Sequence, residues 1–311
     1  MKGLEFNDVV SALTHIRGGI PAVRLSSRIR LGEHRSLFFG QGDFYDIKEF
    51  DPDVDMPNMK VDLDGEEDTE YARRCIETHE VHVKFIVDLS PSIYAGIGYN
   101  RRKVLLETIG FIGLTAVRFM DPVGMVGFTD RVILNMPDKA GRNNFYYYLK
   151  TIYDLLESND PAKKKFQPVK TDFFAAFDFI RRYCSKRCFI PVISDFVGFE
   201  KFVDSPLLRF VASKHELIFI FLDDPLEFLS AKGRGYISLD DPESGKRKIV
   251  SRKDLPNIER ELREQRRHLR KKQLQKMGIH CIVLEYGARG RHFNRLRRFF
   301  IARHKLQSQH R

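Results

Sequence analysis

The sequence lacks any long apolar run of the kind that crosses a membrane. No uncharged stretch approaches the roughly 20 residues that a spanning helix requires. The N-terminus, MKGLEFNDVVSALTHIR, carries Glu5 and Asp8 where a secretory signal needs an unbroken apolar core. No internal repeat is evident. We therefore expect a cytoplasmic protein without a membrane span.

Tryptophan is absent, and cysteine is scarce, with 4 residues in a chain of 311. Such usage is typical of a reducing compartment. Cys184 and Cys188 are spaced one helical turn apart, but no second pair follows at zinc-finger spacing, and Cys188 begins an apolar run. The sequence therefore predicts buried thiols here rather than a zinc site.

Basic residues outnumber acidic ones, which gives a formal net charge of +11. The excess is concentrated in residues 252–278 and 288–305. In the first of these stretches Ile258, Leu262 and Leu269 form only a thin apolar stripe, which is typical of a surface helix. A solvated basic face, an acidic protein partner, and nucleic acid or a membrane surface all stay open. Aromatic stacking platforms are not obvious in either stretch, which counts against single-strand binding.

Four apolar runs of strand length reach an acidic residue at their ends, and helical stretches separate them. They read VKFIVD, CFIPVISD, LIFIFLDD and HCIVLEYG. This alternation predicts an α/β fold with a mostly parallel sheet covered by helices on both faces. Sheets of this kind bind ligands outside the carboxyl ends of their strands. The residues expected to share that edge are Asp88, Asp195, Asp223, Asp224 and Glu285.

The first helix of this series is indicated by apolar residues at helical spacing. They are Leu105, Ile109, Ile112, Ala116 and Phe119, and Asp121-Pro122 ends the pattern. Pro191 lies inside CFIPVISD and argues against a central strand there, because proline donates no hydrogen bond to the ladder.

Oxygen donors occur in three separated pieces, each at a junction between a strand or helix and a loop. These donors are Asp88, Ser90 and Ser92 in DLSPS, Thr171 in VKTDFF and Asp195 in VISDF. Carboxylates and hydroxyls are hard ligands, suited to Mg²⁺, Mn²⁺ or Ca²⁺. With two carboxylates, such a site keeps open positions that a carboxylate from another molecule can fill. Taken singly, the pieces do not indicate a metal site, because Ser and Asp also cap helices and build turns.

Taken together and in this order, the pieces resemble the metal-ion-dependent adhesion site of the von Willebrand factor A fold. That site is built from D-x-S-x-S, a distant Thr and a distant Asp. The resemblance implies that Ser90, Ser92 and Thr171 bind the cation directly. It also implies that Asp88 and Asp195 hold coordinated water.

More narrowly, the chain resembles the bacterial family of unknown function called DUF58. LGEHRSLFFGQGDFYDIKEFDP is similar to the family's G-x-H-x-S…G-x-G-x-D-F…P segment, and DDPLEFL and GYISLDDPESGK are similar to its D-P-x-E and D-P-E-x-G segments. The matching residues of the first segment are Gly32, His34, Ser36, Gly40, Gly42, Asp43, Phe44 and Pro52. The family's Arg-x-Ile-Asp-Trp element is missing its tryptophan here, and Val61-Asp62-Leu63 resembles what remains of it.

Two regions are expected from this reading. Residues 1–77 form an N-terminal extension, which includes the family-like segment 30–53 and an acidic connection at 51–70. Residues 78–311 form the von Willebrand factor A-like domain with basic C-terminal helices. A hydrophobic content of 42% supports a folded core of this size.

The resemblance implies a non-catalytic, divalent-metal-dependent protein–protein interaction module. It further implies a MoxR-type AAA+ ATPase as the partner, in protein maturation, assembly or stress response, and we expect the partner to supply an acidic residue. We expect no specific nucleic-acid partner, although binding of nucleic acid through the basic C-terminus is one alternative. A phosphatase-like hydrolase with Asp88 as nucleophile is another, but Ser90 stands where such enzymes carry an acid. We therefore do not expect an enzyme.

Overall fold

A computed structural model of the chain describes residues 5–16, 43–49, 60–61, 71–76, 81–94, 101–160, 169–223, 235–240, 247–254, 257–258, 260–261, 264, 273–285 and 291–308. The helices are α1 (Phe6–Ile16), α2 (Arg101–Arg118), α3 (Arg142–Ser158), α4 (Phe173–Tyr183), α5 (Pro206–Lys214) and α6 (Arg291–Ser308). The strands are β1 (Asp43–Glu49), β2 (Lys60–Val61), β3 (Tyr71–Ile76), β4 (His82–Asp88), β5 (Val123–Phe128), β6 (Val132–Lys139), β7 (Cys188–Ser194), β8 (Glu216–Asp223), β9 (Tyr236–Asp240), β10 (Arg247–Ser251) and β11 (His280–Glu285).

Six strands form the central sheet, in the order β11-β8-β7-β4-β5-β6. Neighbours from β11 to β5 run parallel, and β6 runs antiparallel to β5 at one edge. The predicted α/β class and the mostly parallel sheet are confirmed. The sheet is the mostly parallel, von Willebrand factor A-like one that the resemblance implies, and the antiparallel direction of the edge strand β6 is a detail that the sequence does not predict.

Successive residues of the central strands alternate between two buried faces. Ile86, Val192 and Phe219 lie in register on one face, in a cluster that contains buried residues of α4 and α5. On the other face α2 contacts β4, β5 and β8, and α6 places the Phe300 ring 6.4 Å from that of Phe189. Helices cover both faces, and this explains why the strands are apolar at nearly every position.

Most residues of the α2 helix are buried, and four of its five predicted apolar positions are confirmed. Leu105, Ile109, Ile112 and Ala116 are fully buried. The helix ends at Arg118, one residue before the predicted Phe119. Gly113 lets α3 approach closely, because a Cβ at this position would lie 2.0 Å from Cε2 of Phe145.

Pro191 is tolerated in β7, although the strand is central. The strand pairs with β8 at Pro191, opposite Ile218. Towards β4 the pairing runs through Val83–Phe189 and then resumes, in the same register, at Ile86–Val192. The interruption of this ladder falls beside the proline, which has no N–H to donate. The objection that the sequence raises against this strand is therefore wrong.

By their contacts the described residues fall into two compact units. One contains α1 and the described residues from 81 onward, and the other, within residues 27–80, contains the antiparallel sheet β1-β3-β2. Within the first unit, the α1 helix packs against α3, with the Phe6 ring 5.2 Å from that of Tyr153. The boundary between residues 77 and 78 stays a prediction. Most of segment 30–53 and of the acidic connection 51–70 lies outside the described residues.

The basic C-terminal region is described mainly through α6. One side of this helix is buried through Phe293, Leu296 and Phe300, while its arginines at 291, 295, 297 and 298 are exposed. Arg303 is buried and forms an ion pair with Glu216 of β8. Nearly half of the predicted surface helix in 252–278, including Leu262 and Leu269, lies outside the described residues. Across the helices that the structure describes, none combines the length and apolarity needed to span a membrane.

Candidate metal site at the carboxyl edge of the sheet

The carboxyl ends of β4 and β7 bring the first and third of the predicted pieces together. Asp88 is the last residue of β4, and Asp195 directly follows the last residue of β7. Ser90 and Ser92 lie in the loop after β4, where Pro91–Tyr94 forms a 3₁₀ turn. β8 and β11 end at the same edge with Asp223 and Glu285, which pair in register. The side chains of these two residues, and all of Asp224, lie outside the described part of the chain.

Asp88 is fully buried and lies at the centre of the hydrogen-bond network. Its Oδ1 accepts the backbone N–H of Ser90 at 2.9 Å, and its Oδ2 accepts the hydroxyl of Ser194 at 2.6 Å. Burial, and then the negative charge of Asp195, raise the pKa of Asp88 to about 7, although these hydrogen bonds oppose the rise. Without a cation, ionisation of the buried Asp88 carboxyl group near neutral pH therefore costs free energy.

The two loop serines turn their hydroxyls towards each other. Ser90 Oγ and Ser92 Oγ are 2.9 Å apart, and both side chains are buried. Alternate positions on the tight loop thus direct two hydroxyl oxygens to one point beside Asp88, as the D-x-S-x-S spacing predicts.

Asp195 is held by an unusual backbone at the residue that follows it. Phe196 has a φ of 58°, in the left-handed region that bulky side chains rarely adopt. Its N–H donates to Ser194 Oγ at 2.8 Å, and its ring packs 4.2 Å from that of Phe221, between ring centroids. Packing of the buried ring thus stabilises a strained turn, in which the N–H of Val197 donates to Asp195 Oδ1 at 3.2 Å.

Arg101, the first residue of α2, joins the two loops. Its Nη1 donates to the carbonyl oxygen of Ser92 at 2.9 Å and lies 3.3 Å from Asp195 Oδ2. The side chains of Arg101 and Asp195 are 3% and 2% exposed, so this is a buried ion pair. A guanidinium group therefore supplies one positive charge beside the Asp195 carboxylate.

Thr171 lies in the loop that enters α4. The next residue, Asp172, donates its N–H to the carbonyl oxygen of Thr129 at 2.8 Å, just past the end of β5. The ring of Phe173 stacks on that of Phe196 at 5.8 Å and an interplanar angle of 6°. Both contacts anchor the Thr171 loop to the edge that carries Asp195. A direct contact between Thr171 and the other four predicted residues stays a prediction.

The donors suit a hard cation. Hydroxyl and carboxylate oxygens could hold Mg²⁺, Mn²⁺ or Ca²⁺, and a divalent ion beside Asp88 would favour its ionised form. The described residues contain no group of three or more His, Cys, Asp or Glu side chains able to hold a metal. The candidate site is of a different kind, with two carboxylates and several hydroxyls.

Two residues of this site escape sequence reasoning. Ser194 is hidden at the end of an apolar strand, and nothing in VISDF distinguishes its hydroxyl from an ordinary strand serine. Arg101 begins a basic triplet, Arg101-Arg102-Lys103, in front of an apolar helix. Three basic residues in front of an apolar helix suggest that one of them has a specific role, but the sequence does not say which of the three side chains turns inward.

No curated protein matches the chain. Among solved structures it is similar to a conserved hypothetical protein, BatB, from Bacteroides thetaiotaomicron, with 14% identity, a TM-score of 0.40 and coverage of 74% of this chain and 99% of the other. An aerotolerance-related membrane protein from Bacteroides fragilis has 17% identity, a TM-score of 0.33 and coverage of 55% and 81%. The minor pilin PilB from Streptococcus sanguinis has 8% identity, a TM-score of 0.36 and coverage of 80% and 67%.

The sequence also matches a family pattern over most of its length. The pattern is that of "Protein of unknown function DUF58", and it aligns with residues 55–272. This span contains the whole candidate site, from Asp88 to Asp195. The chain belongs to the DUF58 family.

Proposed function

We propose that this protein is a non-catalytic, divalent-metal-dependent protein–protein interaction module. Ser90, Ser92 and Thr171 would bind the cation directly, with Asp88 and Asp195 acting through water. The observation that carries the proposal is the buried convergence of Asp88, Ser90, Ser92 and Asp195 at one sheet edge. Mg²⁺ takes six ligands and usually keeps several waters, so positions remain for a ligand from outside.

The charge balance favours an acidic ligand. The two carboxylates neutralise a divalent cation, and Arg101 adds a further positive charge beside Asp195. An occupied site would therefore be electropositive at its mouth. An Asp or Glu of a partner would complete the coordination and be steered by this field.

The rim of the site offers apolar surface for the same partner. Phe174 is 46% exposed and lies three residues after Thr171, and Val197 is 39% exposed and lies two residues after Asp195. The Phe174 ring packs edge-on against that of Phe202 at 4.7 Å, so it is held in place before binding. Ordered aromatic side chains at the centre of an interface often carry much of its affinity.

A MoxR-type AAA+ ATPase is the partner we propose, in protein maturation, assembly or stress response. The support for this choice is the resemblance in sequence to the DUF58 family. A hydrolytic role for Asp88 has less support, because its hydrogen-bond partners are Ser194 and the backbone of Ser90. Neither group is an acid that protonates a leaving group.

Metal binding is tested by thermal stability. Mg²⁺ added to chelator-treated protein should raise Tm, because the assembled loops bind the ion and the unfolded chain does not. At a Mg²⁺ concentration of 100 times Kd, the free energy of unfolding should increase by about 2.7 kcal/mol. Asp88→Asn keeps the size of the side chain but removes its charge, and it should abolish the rise. Asp154→Asn, at an exposed carboxylate of α3, is the matched control and should respond like the wild type. An unchanged Mg²⁺ affinity of Asp88→Asn in calorimetry would refute the assignment.

The raised pKa of Asp88 predicts how the metal-free protein responds to pH. In the unfolded chain this carboxyl group titrates near 3.8, and in the folded state near 7. Between these values the folded state binds more protons, so the free energy of unfolding falls as pH rises and levels off above about 7. Asp88→Asn should remove that part of the slope when both proteins are unfolded by denaturant in chelator. Parallel curves for the two proteins from pH 4 to 7 would contradict the prediction.

Arg101→Met should make the protein less stable without metal and more responsive to it. Asp195 loses a buried cationic partner, and breaking such a pair costs about 3–5 kcal/mol. Mg²⁺ then replaces the missing charge and is no longer repelled by the guanidinium. The control is Arg102→Met, which breaks ion pairs with Glu157 and Asp160 instead. A Mg²⁺-induced rise in Tm no larger in Arg101→Met than in the control would argue against a cation position beside Arg101.

The partner is tested with a purified MoxR-type ATPase. The complex should form in Mg²⁺ and weaken on chelation, in Asp195→Ala, or when one acidic residue of the ATPase is neutralised. Because all three changes remove the same bond, their effects should not add. Phe174→Ala should weaken the complex while leaving the Mg²⁺-induced rise in Tm intact. A complex that forms equally well in chelator means that the ATPase docks elsewhere.

A further inference from the structure

A second group of reactive side chains lies at the opposite end of β7 from the candidate metal site. Cys184 caps the C-terminus of α4, and Cys188 is the first residue of β7. Their exposures are 9% and 2%, and neither thiol is in a disulfide. Both belong to the aromatic-rich core cluster on the α4 and α5 face of the sheet. The three residues between them are exposed and belong to no helix or strand.

The two cysteines are four residues apart and share one core cluster. Each thiol shifts the pKa of the other, and the Cys188 thiol donates to the carbonyl oxygen of Lys186 at 3.4 Å. The backbone is fixed at both positions. The carbonyl oxygen of Cys184 accepts Lys214 Nζ at 2.9 Å, and the N–H of Cys188 donates to His215 Nδ1 at 3.2 Å. The pair is therefore held together by the helix end and the strand start, with an adjustable loop between them.

The surroundings distinguish the two sulfur atoms. The neighbouring Cys188 thiol lowers the pKa of Cys184, and burial opposes this. The Cys184 thiol and burial raise the pKa of Cys188. Cys184 is thus the thiol that ionises more readily and belongs to the more exposed residue of the pair, while Cys188 is harder to ionise.

We propose that Cys184 and Cys188 form a redox-active dithiol that hydroperoxides oxidise to an intrachain disulfide. The Cys184 thiolate attacks the peroxide and breaks its O–O bond, giving a sulfenic acid and one molecule of water or alcohol once the leaving oxygen takes a proton. The Cys188 sulfur then attacks the sulfenic sulfur, forms the S–S bond and releases the hydroxyl group as water with its own proton. The two thiols lose two electrons, and the peroxide gains them.

The position of the two cysteines suits a small oxidant and a disulfide between residues close in sequence. The exposure of Cys184 is slight, so hydrogen peroxide has access where a protein disulfide does not. Closing the bond joins residues four apart and requires movement of the exposed loop 185–187 rather than of β7. This dithiol is independent of the proposed metal function, because it uses none of the residues of that site.

The test uses the full chain with Cys75→Ser and Cys281→Ser, so that only the pair remains. Stoichiometric hydrogen peroxide should consume both thiols and lower the intact mass by two hydrogen atoms without adding oxygen, and dithiothreitol should reverse the change. With Cys188→Ser added, Cys184 should stop at a sulfenic acid that dimedone traps. With Cys184→Ser added, Cys188 should stay reduced at the same dose.

Two outcomes would overturn the proposal. One is retention of both thiols at a peroxide dose that oxidises free cysteine in the same solution. The other is gain of oxygen at the two sulfur atoms without loss of two hydrogen atoms, which means that they react separately. If the double serine variant does not fold, peptide mapping of the oxidised wild-type chain decides the same question, because the disulfide-linked peptide must contain Cys184 and Cys188.

Discussion

The hydrogen bonds of the buried Asp88 carboxyl group connect the parts of the candidate site. One oxygen accepts the N–H of Ser90 and the other accepts the hydroxyl of Ser194, so a single carboxyl group holds the first loop against the end of β7. Ser194 in turn accepts the N–H of Phe196. The left-handed turn at Phe196, and with it the position of Asp195, therefore depends on Asp88 being a hydrogen-bond acceptor.

A carboxyl group in this position does not favour stability by itself. Burial and the neighbouring Asp195 both disfavour its charged form, as its raised pKa records. Replacing buried ionic groups with apolar ones often stabilises a protein, so two carboxylates and an arginine at one point are a poor choice for a core. A site that binds a cation has a reason to keep them, because the cation provides the missing charge compensation.

Sequence reasoning succeeds where a pattern has one physical solution. Apolar runs that end on acidic residues predict parallel strands, and the D-x-S-x-S spacing predicts two hydroxyls on one side of a tight loop; both agree with the structure. It fails where the outcome depends on contacts between distant segments. Pro191 is tolerated because the ladder interruption falls on its β4 side, and the inward turn of Arg101 depends on where Asp195 lies. Neither fact is local to the sequence around these residues.

The strand β7 carries different chemistry at its two ends. Asp195 follows its carboxyl end and Cys188 begins its amino end, and seven residues of strand span about 20 Å. Every residue between these ends is buried, and β7 pairs with a neighbour on each side. A strand buried and paired in this way is closely packed, and the physical warrant for coupling between distant sites is a demonstrated element with two arrangements. The thiol pair and the oxygen site should therefore respond to their ligands separately, each through the exposed loop that adjoins it.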